Sequence, residues 1–407
     1  MGKLHSWDLG TFRKGAHRRA LFVLAMACAI TSLFWLGANR VAAQTVDTSL
    51  AKARAKHLQR GINLSEWFAQ VYDPEGYTKE HFESWNTVQD IALIKAMGFD
   101  HVRLSVNPQP MWKRNAADEL PAEYLGYLDA AVKMILDQGL AVVIDIHPEG
   151  DFKERLSSDA MVEQLADFWR ALAKHYSTWD TERLFFETLN EPEMRDHYRW
   201  NGIQAHLAAA IREGAPQQTI LVEGARWADD DDLVLAEPLR DRNVIYNFHF
   251  YEPHLFTHQG ATWGESWWHY LKSVPYPSTV ENVDAAVASV PDDVHKLALR
   301  RYGAERWNAQ RMEAEFAQVA AWGKKWNVPL TCNEFGVYRK TANPDDRARW
   351  LSDVRTALEK NGIGWTMWDY SGGFGVVVKK DGVATVDQIT AKALGLTVSA
   401  AVNSSTH

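Results

Sequence analysis

The chain has 407 residues, 46% of them hydrophobic and 24% charged, which is the composition of a globular protein with a large core. These figures exclude a collagen-like, coiled-coil, disordered or multi-span membrane protein. The chain also has 18 tryptophans, more than a core needs, and two cysteines, too few for a disulfide scaffold.

The first 43 residues are typical of an export signal. A basic stretch precedes an uncharged apolar run over residues 20–38, and the small residues Val41-Ala42-Ala43 suit cleavage before Gln44. The apolar run is also long enough to span a bilayer, so a retained anchor that tethers the protein to a membrane is the alternative. We therefore expect an exported protein, periplasmic or secreted, that is either released or membrane-anchored.

The charge of the remaining chain argues against nucleic acid as a partner. The first 43 residues hold six of the basic and one of the acidic side chains, so the rest of the chain has a net charge of −13. Such a surface repels polyphosphates and anionic lipids.

Eight short apolar runs alternate with longer segments of helical period after the export signal. The predicted strands are Gly61–Leu64, His101–Val106, Ala141–Ile146, Leu184–Leu189, Thr219–Val222, Val244–Phe250, Val328–Asn333 and Gly364–Trp368. Strands that alternate with helices pair in parallel, and eight such units predict an α/β fold, a closed (β/α)₈ TIM barrel. An open doubly wound sheet is the alternative, although no glycine-rich phosphate loop follows an early strand.

The same pattern sets the expected domain bounds. Residues 44–58 are a lead-in segment, residues 59–397 a single catalytic barrel domain and residues 398–407 a loosely ordered tail. A connection of roughly fifty residues, from Tyr251 to Arg301, follows the sixth strand. Loops of this length are usually functional or carry small elements of their own.

Polar and aromatic side chains close several of the predicted strands. Barrel enzymes place their reactive groups at the carboxyl ends of the strands, and the candidates there are Arg103, His147, Asn190, Glu191, His249, Tyr251, Glu334 and Trp368. Glu191 and Glu334 end strands four and seven, on opposite sides of the mouth. Two carboxylates that flank a glycosidic bond hydrolyse it, one as the acid and one as the nucleophile. A nearby cation, for which Arg103 is the candidate, keeps the nucleophile ionised.

These residues resemble a known family. Arg103, Leu189-Asn190-Glu191-Pro192, His249-Phe250-Tyr251 and Asn333-Glu334-Phe335-Gly336 together resemble glycoside hydrolase family 5, over about residues 58–375. The resemblance implies a retaining β-glycosidase on a barrel, with Glu191 as the acid/base and Glu334 as the nucleophile.

The resemblance also implies a set of substrate-binding residues. Asn190 is expected to bind the 2-hydroxyl of the cleaved sugar, and Arg103 and Tyr251 to hold Glu334. His147 and His249 are expected to line the subsite of that sugar, with Trp368 stacked beneath it. The third strand end, Ile146-His147-Pro148-Glu149, departs from the paired histidines or asparagines common in the family.

Other residues are weaker candidates. The carboxylates that compete for a catalytic role are Glu149, Glu193, Glu223 and Glu252, and the tryptophans that suit sugar stacking are Trp67, Trp85, Trp263, Trp267 and Trp268. Asp229–Asp232 is interpreted as a solvated helix start rather than a calcium site. Alternation along the seventh strand predicts that Cys332 lies on the same face as Glu334, as a buried structural thiol.

The sequence therefore predicts an endo-β-1,4-glucanase that acts on a β-linked glucan or related polysaccharide. The alternatives are a β-1,3-glucanase, a mannanase, a transglycosylase acting on envelope glucans, and a carbohydrate-binding protein without catalysis. Arg60-Gly61-Ile62-Asn63-Leu64 resembles the start of exo-1,3-glucanases, so exo action also stays open. No metal motif is present, and we expect no cofactor.

Overall fold

A computed structural model describes residues 47–397, except for residue 73 and residues 114–115. The predicted export signal and the predicted tail lie outside these described residues. The strands are β1 Arg60–Phe68, β2 His101–Val106, β3 Ala141–Ile146, β4 Leu184–Glu187, β5 Thr219–Glu223, β6 Val244–Phe250, β7 Leu330–Phe335, β8 Gly364–Met367, β9 Val377–Lys380 and β10 Val383–Val386.

The described residues also form fourteen α-helices and three short 3₁₀-helices. The α-helices are α1 Ser49–Arg54, α2 Lys79–Ser84, α3 Val88–Met97, α4 Ala122–Asp137, α5 Phe152–Arg155, α6 Asp159–Tyr176, α7 His197–Gly214, α8 Asp230–Leu235, α9 His254–Thr257, α10 Asp284–Ser289, α11 Asp293–Glu305, α12 Ala309–Trp326, α13 Pro344–Lys360 and α14 Gln388–Ala393. The 3₁₀-helices are Ala55–His57, Gln109–Met111 and Trp268–Tyr270.

Strands β1 to β8 close into a barrel in sequence order, with every neighbouring pair parallel. The structure therefore confirms the predicted (β/α)₈ fold. All eight predicted strands are present; β2, β3 and β6 have the predicted bounds, and the other five differ at one or both ends. β1 continues to Phe68 through an irregularity, β4 ends at Glu187 and β7 ends at Phe335.

The long helices cover the outside of the barrel with one apolar face each. In α6, Leu165, Phe168 and Leu172 recur at helical spacing and are fully buried. Helix α3 begins at a capping box between Thr87 and Asp90, which satisfies backbone N–H groups that have no partner within the helix. These helices fix the strands, and the strands in turn fix the side chains at the mouth.

The inside of the barrel has two layers of different chemistry. The lower layer, at the amino ends of the strands, is an apolar cluster of Ala55, Leu58, Ala141, Val143, Phe185, Leu221 and Ile245. Two residues further along four strands, the inward positions become polar: Asp145, Glu187, Glu223 and Asn247. Because side chains alternate along a strand, residues two apart share a face, and the polar layer lies directly above the apolar one.

Strand β7 contains a bulge that changes which way its last residues face. Phe248 pairs with Cys332, but the next residue of β6, His249, pairs with Glu334, so Asn333 is one extra residue. Asn333 donates from Nδ2 to Oε2 of Glu187 inside the barrel, at 2.7 Å. Cys332 is buried as predicted, but it packs in the larger hydrophobic core. The prediction that Cys332 and Glu334 lie on the same face of the strand is wrong, because the bulge interrupts the alternation of side chains.

The connection after β6 carries small elements, as its length predicted. It contains α9, the 3₁₀-helix Trp268–Tyr270, α10 and α11, and residues 262–265 reach the barrel mouth. The hairpin β9–β10, which the sequence analysis did not predict, follows the barrel. Within the described part of the chain, no helix combines the length and the apolar character needed to cross a bilayer.

Candidate active site

The carboxyl ends of the strands open into a cleft with a volume of about 1200 Å³. Of the predicted site residues, Glu191, Glu334, His147, Tyr251 and Trp368 line it. Arg103, Asn190 and His249 are buried directly against these groups through the contacts described below. The structure thus brings all eight predicted residues to one place.

Arg103 is the centre of the polar layer and is completely buried. Its guanidinium donates to Glu187 through Nε and Nη2, at 2.9 and 2.7 Å, and to Glu334 Oε1 through Nη1, at 2.6 Å. Nη2 also lies 3.0 Å from Asp145 Oδ2. Burial acts to lower the pKa of Arg103, but these carboxylates raise it well above its usual value. Arg103 is therefore a permanent cation beneath the cleft.

Glu334 is held at both carboxylate oxygens. Arg103 donates to Oε1, and the Tyr251 hydroxyl donates to Oε2 at 2.8 Å. Burial, and then the charge of Glu334, raise the pKa of Tyr251 well above its usual value, so the hydroxyl keeps its proton. Two donors, one on each oxygen, fix the plane of the carboxylate.

Glu191 lies next to Glu334, with His249 between them. A ring nitrogen of His249 and one carboxylate oxygen from each glutamate lie within 4.8 Å of one another. His249 Nδ1 contacts Glu191 Oε1 at 2.9 Å, and burial lowers the pKa of His249 to about 4, so the ring is neutral near pH 7. Glu191 has a φ of 47°, a left-handed conformation rare outside glycine and typical of functional positions.

His147 connects the polar layer to the wall of the cleft. Its Nδ1 lies 2.9 Å from Asp145 Oδ2, and its Nε2 lies 3.3 Å from Asn190 Nδ2. Asn190 Oδ1 accepts from Arg103 Nη2 at 2.9 Å, which fixes the orientation of the amide. The ring of His147 stacks against Trp368, with centroids 5.6 Å apart and planes 18° apart.

The sequence analysis did not identify Asp145 and Glu187, two carboxylates of the polar layer that lies below Glu191 and Glu334. Of the carboxylates in this layer it named only Glu223. Asp145 and Glu187 are fully buried, and Glu223, predicted as a rim carboxylate, is 1% exposed. Burial raises the pKa of all three groups, to about 7 for Asp145, and Arg103 opposes the shift in each case. Their signal in the sequence is a single acidic residue within an otherwise apolar strand.

The other rival carboxylates have partners of their own. Glu149 accepts from the Tyr77 hydroxyl at 2.6 Å, and Glu193 lies 3.5 Å from Lys153. Glu252 contacts Nδ1 of His254 at 3.0 Å. Asp230–Asp232 form the first turn of α8, so the interpretation of this run as a helix start is confirmed. The expected solvation is wrong for Asp232, which is fully buried and accepts from the Arg226 guanidinium.

The tryptophans considered for sugar stacking divide into two groups. Trp263, 46% exposed, and Trp268 line the cleft, where the loop after β6 forms one wall. Trp67 is buried in the core, Trp85 stacks on His81 and Trp267 stacks on His295, so none of the three belongs to the cleft-lining set. The sequence analysis missed Trp227, which follows β5, lines the cleft and is 55% exposed.

Two groups of described side chains come close enough to hold a cation. One is Glu191, His249 and Glu334, and the other is Glu187, Glu223 and His249. Both use His249, and the first is the carboxylate pair itself. The expectation that no metal or cofactor is needed stays a prediction.

Two glutamates that meet at the mouth of a (β/α)₈ barrel are the arrangement of a barrel glycosidase. The family model described as Cellulase (glycosyl hydrolase family 5) matches residues 59–373. Endoglucanase C of Acetivibrio thermocellus is 31% identical over 317 residues, which cover 76% of this chain and 90% of that protein. The chain therefore belongs to glycosyl hydrolase family 5 and is a glycosidase, as the strand-end residues indicated.

Further relatives and solved structures agree with this membership. Cellodextrinase A of Ruminococcus flavefaciens is 27% identical over 319 residues, 76% of this chain and 84% of that protein. Endoglucanase Cel5A from the hyperthermophilic Thermotoga maritima matches with a TM-score of 0.68 and 26% identity, over 84% of this chain and 99% of that chain. The clostridial cellulose synthase subunit Z from Clostridioides difficile matches with a TM-score of 0.67 and 25% identity, over 83% and 99%.

Proposed function

We propose that this protein is a retaining endo-β-1,4-glucanase that cleaves β-glucan by double displacement. The observation that carries the proposal is that one oxygen of Glu191 and one oxygen of Glu334 lie within 4.8 Å of each other at the mouth of the barrel, so both carboxylates can flank a single glycosidic bond. Retaining glycosidases have carboxyl groups about 5–5.5 Å apart, whereas inverting enzymes need about 6.5–9.5 Å to admit a water molecule.

In the first step, Glu334 attacks the anomeric carbon while Glu191 gives its proton to the departing glycosidic oxygen. The bond from that carbon to the leaving sugar breaks, and an ester bond to Glu334 forms. In the second step, Glu191 takes a proton from water, and the resulting hydroxide displaces Glu334. The donors on Glu334, Arg103 Nη1 and the Tyr251 hydroxyl, support the nucleophile's role because they hold both of its oxygens in a fixed orientation.

The remaining predicted residues suit the cleaved sugar. Asn190 has its Oδ1 engaged by Arg103 and its Nδ2 near His147, which leaves an amide N–H to donate to a sugar hydroxyl. Trp368 offers a ring face beside His147, and aromatic faces suit the C–H face of a glucose ring.

The names of the relatives support the substrate class. Two of the proteins described above are named endoglucanases and one a cellodextrinase. The loop wall that carries Trp263 and Trp268 supports exo action on short chains as the second candidate, because a wall narrows the cleft. The distribution of product lengths distinguishes the two.

The decisive experiment measures reducing-sugar release from β-1,4-, β-1,3- and β-1,6-glucans and from mannan. We expect activity on β-1,4-glucan and a loss of at least about 10⁴-fold in kcat for Glu334→Gln, because no covalent intermediate can form. The control is Glu80→Gln, an exposed carboxylate outside the cleft. Unchanged activity of Glu334→Gln contradicts the mechanism, and binding without turnover by the wild type indicates a carbohydrate-binding protein.

Azide identifies the role of each glutamate. With an activated aryl glycoside, azide takes the place of the missing nucleophile in Glu334→Ala and gives the α-glycosyl azide. In Glu191→Ala, azide attacks the ester on Glu334 and gives the β-glycosyl azide. The same anomer from both variants overturns the assignment.

We also propose that the catalytic domain is residues 59–397 and that the protein is exported through its first 43 residues. The basic stretch and the apolar run over residues 20–38 support export. Fractionation of cells, with mass determination of the exported chain, tests cleavage before Gln44 against a retained membrane tether.

A further inference from the structure

Four side chains at the base of the cleft form a closed cycle of polar contacts. Arg103 Nη2 lies 2.9 Å from Asn190 Oδ1 and 3.0 Å from Asp145 Oδ2. Asn190 Nδ2 lies 3.3 Å from His147 Nε2, and His147 Nδ1 lies 2.9 Å from Asp145 Oδ2. None of the four residues is more than 6% exposed, so the cycle is shielded from bulk water.

The direction of each hydrogen bond in the cycle follows from Arg103. A guanidinium only donates, so the atom of Asn190 that faces it is the amide oxygen, and the amide nitrogen faces His147. An amide nitrogen also only donates, so His147 Nε2 is the acceptor. Burial lowers the pKa of His147 to about 4, so its imidazole carries a single proton near pH 7. That proton is therefore on Nδ1.

Asp145 completes the cycle, because its Oδ2 accepts from His147 Nδ1. Burial raises the pKa of Asp145 to about 7 against the opposing charge of Arg103, so both protonation states occur near neutral pH. A proton on this carboxyl group goes to Oδ1, which has no hydrogen-bond partner among the described residues, because the Arg103 cation lies against Oδ2. Oδ2 is thus an acceptor in either state, and the tautomer of His147 does not depend on the charge of Asp145.

The tautomer of His147 determines what Asn190 offers to a substrate. With Nε2 as an acceptor, one amide N–H of Asn190 is held by His147, and the other is left for the 2-hydroxyl of the cleaved sugar. With a proton on Nε2, two N–H groups would face each other across this contact, and the amide would turn away. Hydrogen bonds to the 2-hydroxyl strengthen in the transition state of glycosidases, so the orientation of this amide affects the rate.

We propose that Asp145 is a positioning residue that fixes the tautomer of His147 and, through it, the orientation of the Asn190 amide toward the 2-hydroxyl of the cleaved sugar. The inference rests on the proposed function, in which Asn190 binds the substrate, and extends it to a carboxylate that does not touch the substrate. Asp145 is fully buried in the polar layer, so it acts only through its neighbours.

The first test measures the tautomer in the intact wild-type protein. Nitrogen NMR of protein labelled with ¹⁵N-histidine distinguishes a protonated from an unprotonated imidazole nitrogen, and the spectrum of His147→Gln assigns the signals. We expect His147 to be protonated on Nδ1 and unprotonated on Nε2 between about pH 6 and pH 8. A proton on Nε2, or a mixture of the two tautomers, overturns the inference. This measurement does not depend on enzymatic activity.

The second test measures what the 2-hydroxyl contributes to the rate. The substrates are 2,4-dinitrophenyl β-cellobioside and its analogue without the 2-hydroxyl on the cleaved sugar, and the ratio of their kcat/KM values is compared between variants. We expect Asp145→Leu to lower this ratio about tenfold, mainly through kcat, because a misoriented amide loses one hydrogen bond to the transition state. Asp145→Asn is expected to keep most of the ratio, since its amide oxygen still accepts from His147.

Asp129→Leu is the matched control. Asp129 also pairs with a histidine, with its Oδ1 2.8 Å from His175 Nε2, but the pair lies outside the cleft, so the ratio is expected to stay unchanged. If Asp145→Leu does not fold, Asp145→Ala, which also lacks the acceptor but leaves room for water, takes its place.

Three outcomes of the kinetic test overturn the inference. The first is an equal ratio in the wild type and in Asp145→Leu, which includes an equal loss of kcat/KM on both substrates and means a structural role. The second is an equal drop of the ratio in Asp145→Asn, which means that the charge and not the acceptor matters. The third is a wild type that cleaves the cellobioside without any preference for the 2-hydroxyl. If the wild type cleaves neither glycoside and no β-glucan, the proposed function fails and the inference fails with it.

Discussion

The two layers inside the barrel are built from the same strands but differ in what they contribute. Val143, Phe185, Leu221 and Ile245 form the lower layer, and the residues two positions later are Asp145, Glu187, Glu223 and Asn247. Both layers are fully buried. Burial of apolar side chains stabilises a fold, whereas burial of carboxylates opposes it unless each has a partner. The lower layer therefore stabilises the fold, and this stabilisation offsets the free-energy cost of burying the charged side chains of the upper layer.

The largest expected effect comes from removing the cation of the upper layer. We expect Arg103→Met to lower the free energy of unfolding by about 3–5 kcal/mol, because Asp145, Glu187 and Glu334 are then left without their shared partner. Activity falls as well, since Glu334 loses one of its two donors. Denaturant titration and kcat on β-1,4-glucan measure the two effects.

A buried arginine near the amino ends of the barrel strands provides the control for this prediction. Arg54 is 3% exposed but pairs with Glu182, whose side chain is 57% exposed and keeps its hydration. Arg54→Met is therefore expected to lose less stability and to keep kcat. Equal losses in both variants contradict the view that the upper layer depends on one shared cation.

A smaller effect is expected in the lower layer. Leu221→Ala opens a cavity in a fully buried cluster and is expected to cost about 2–4 kcal/mol of unfolding free energy. KM and kcat are expected to stay unchanged at a temperature where the variant is folded. The exposed Leu235 serves for comparison, since Leu235→Ala is expected to change stability by less than about 0.5 kcal/mol. A tenfold loss of kcat in Leu221→Ala contradicts the view that the lower layer contributes to stability but not to activity.

The smallest effect concerns the pH dependence of stability. Burial, and then Glu187, raise the pKa of Glu223 well above the unfolded value of about 4.3. Above that value the native state binds more protons than the unfolded state, so this contribution to stability is lost as the pH rises. In Glu223→Gln the contribution is absent, and the decline over the one pH unit from 5 to 6 is expected to be smaller by up to about 1.4 kcal/mol. Parallel curves of unfolding free energy against pH for wild type and variant contradict a protonated Glu223.

Most of the fold and the centre of the site could be predicted because they follow from local patterns. The eight strands are short apolar runs between helical segments; Glu334 is the second-to-last residue of β7, and Glu191 lies four residues beyond the end of β4. The position of Arg103 beside the glutamates could also be predicted, because an arginine within an apolar strand needs acidic partners nearby. These features depend on sequence spacing and not on the paths of the loops.

The features that were missed depend on backbone geometry that spacing does not encode. Glu66 and Asp369 both line the cleft although they are 303 positions apart in the sequence, and an oxygen of each lies within 3.1 Å of the place where a Cβ atom at residue 372 would stand. Trp67 was predicted as a candidate for sugar stacking but is buried, because β1 extends through its irregularity to Phe68. The orientation of loop tryptophans likewise follows from contacts that are distant in sequence.

The bulge at Asn333 determines which way the last three residues of β7 face. With it, Asn333 turns down to Glu187, Glu334 faces the cleft and Phe335 returns to the core. Deletion of Asn333 is expected to restore strict alternation and to direct Glu334 toward the helices, so one extra residue in β7 defines this carboxylate's place.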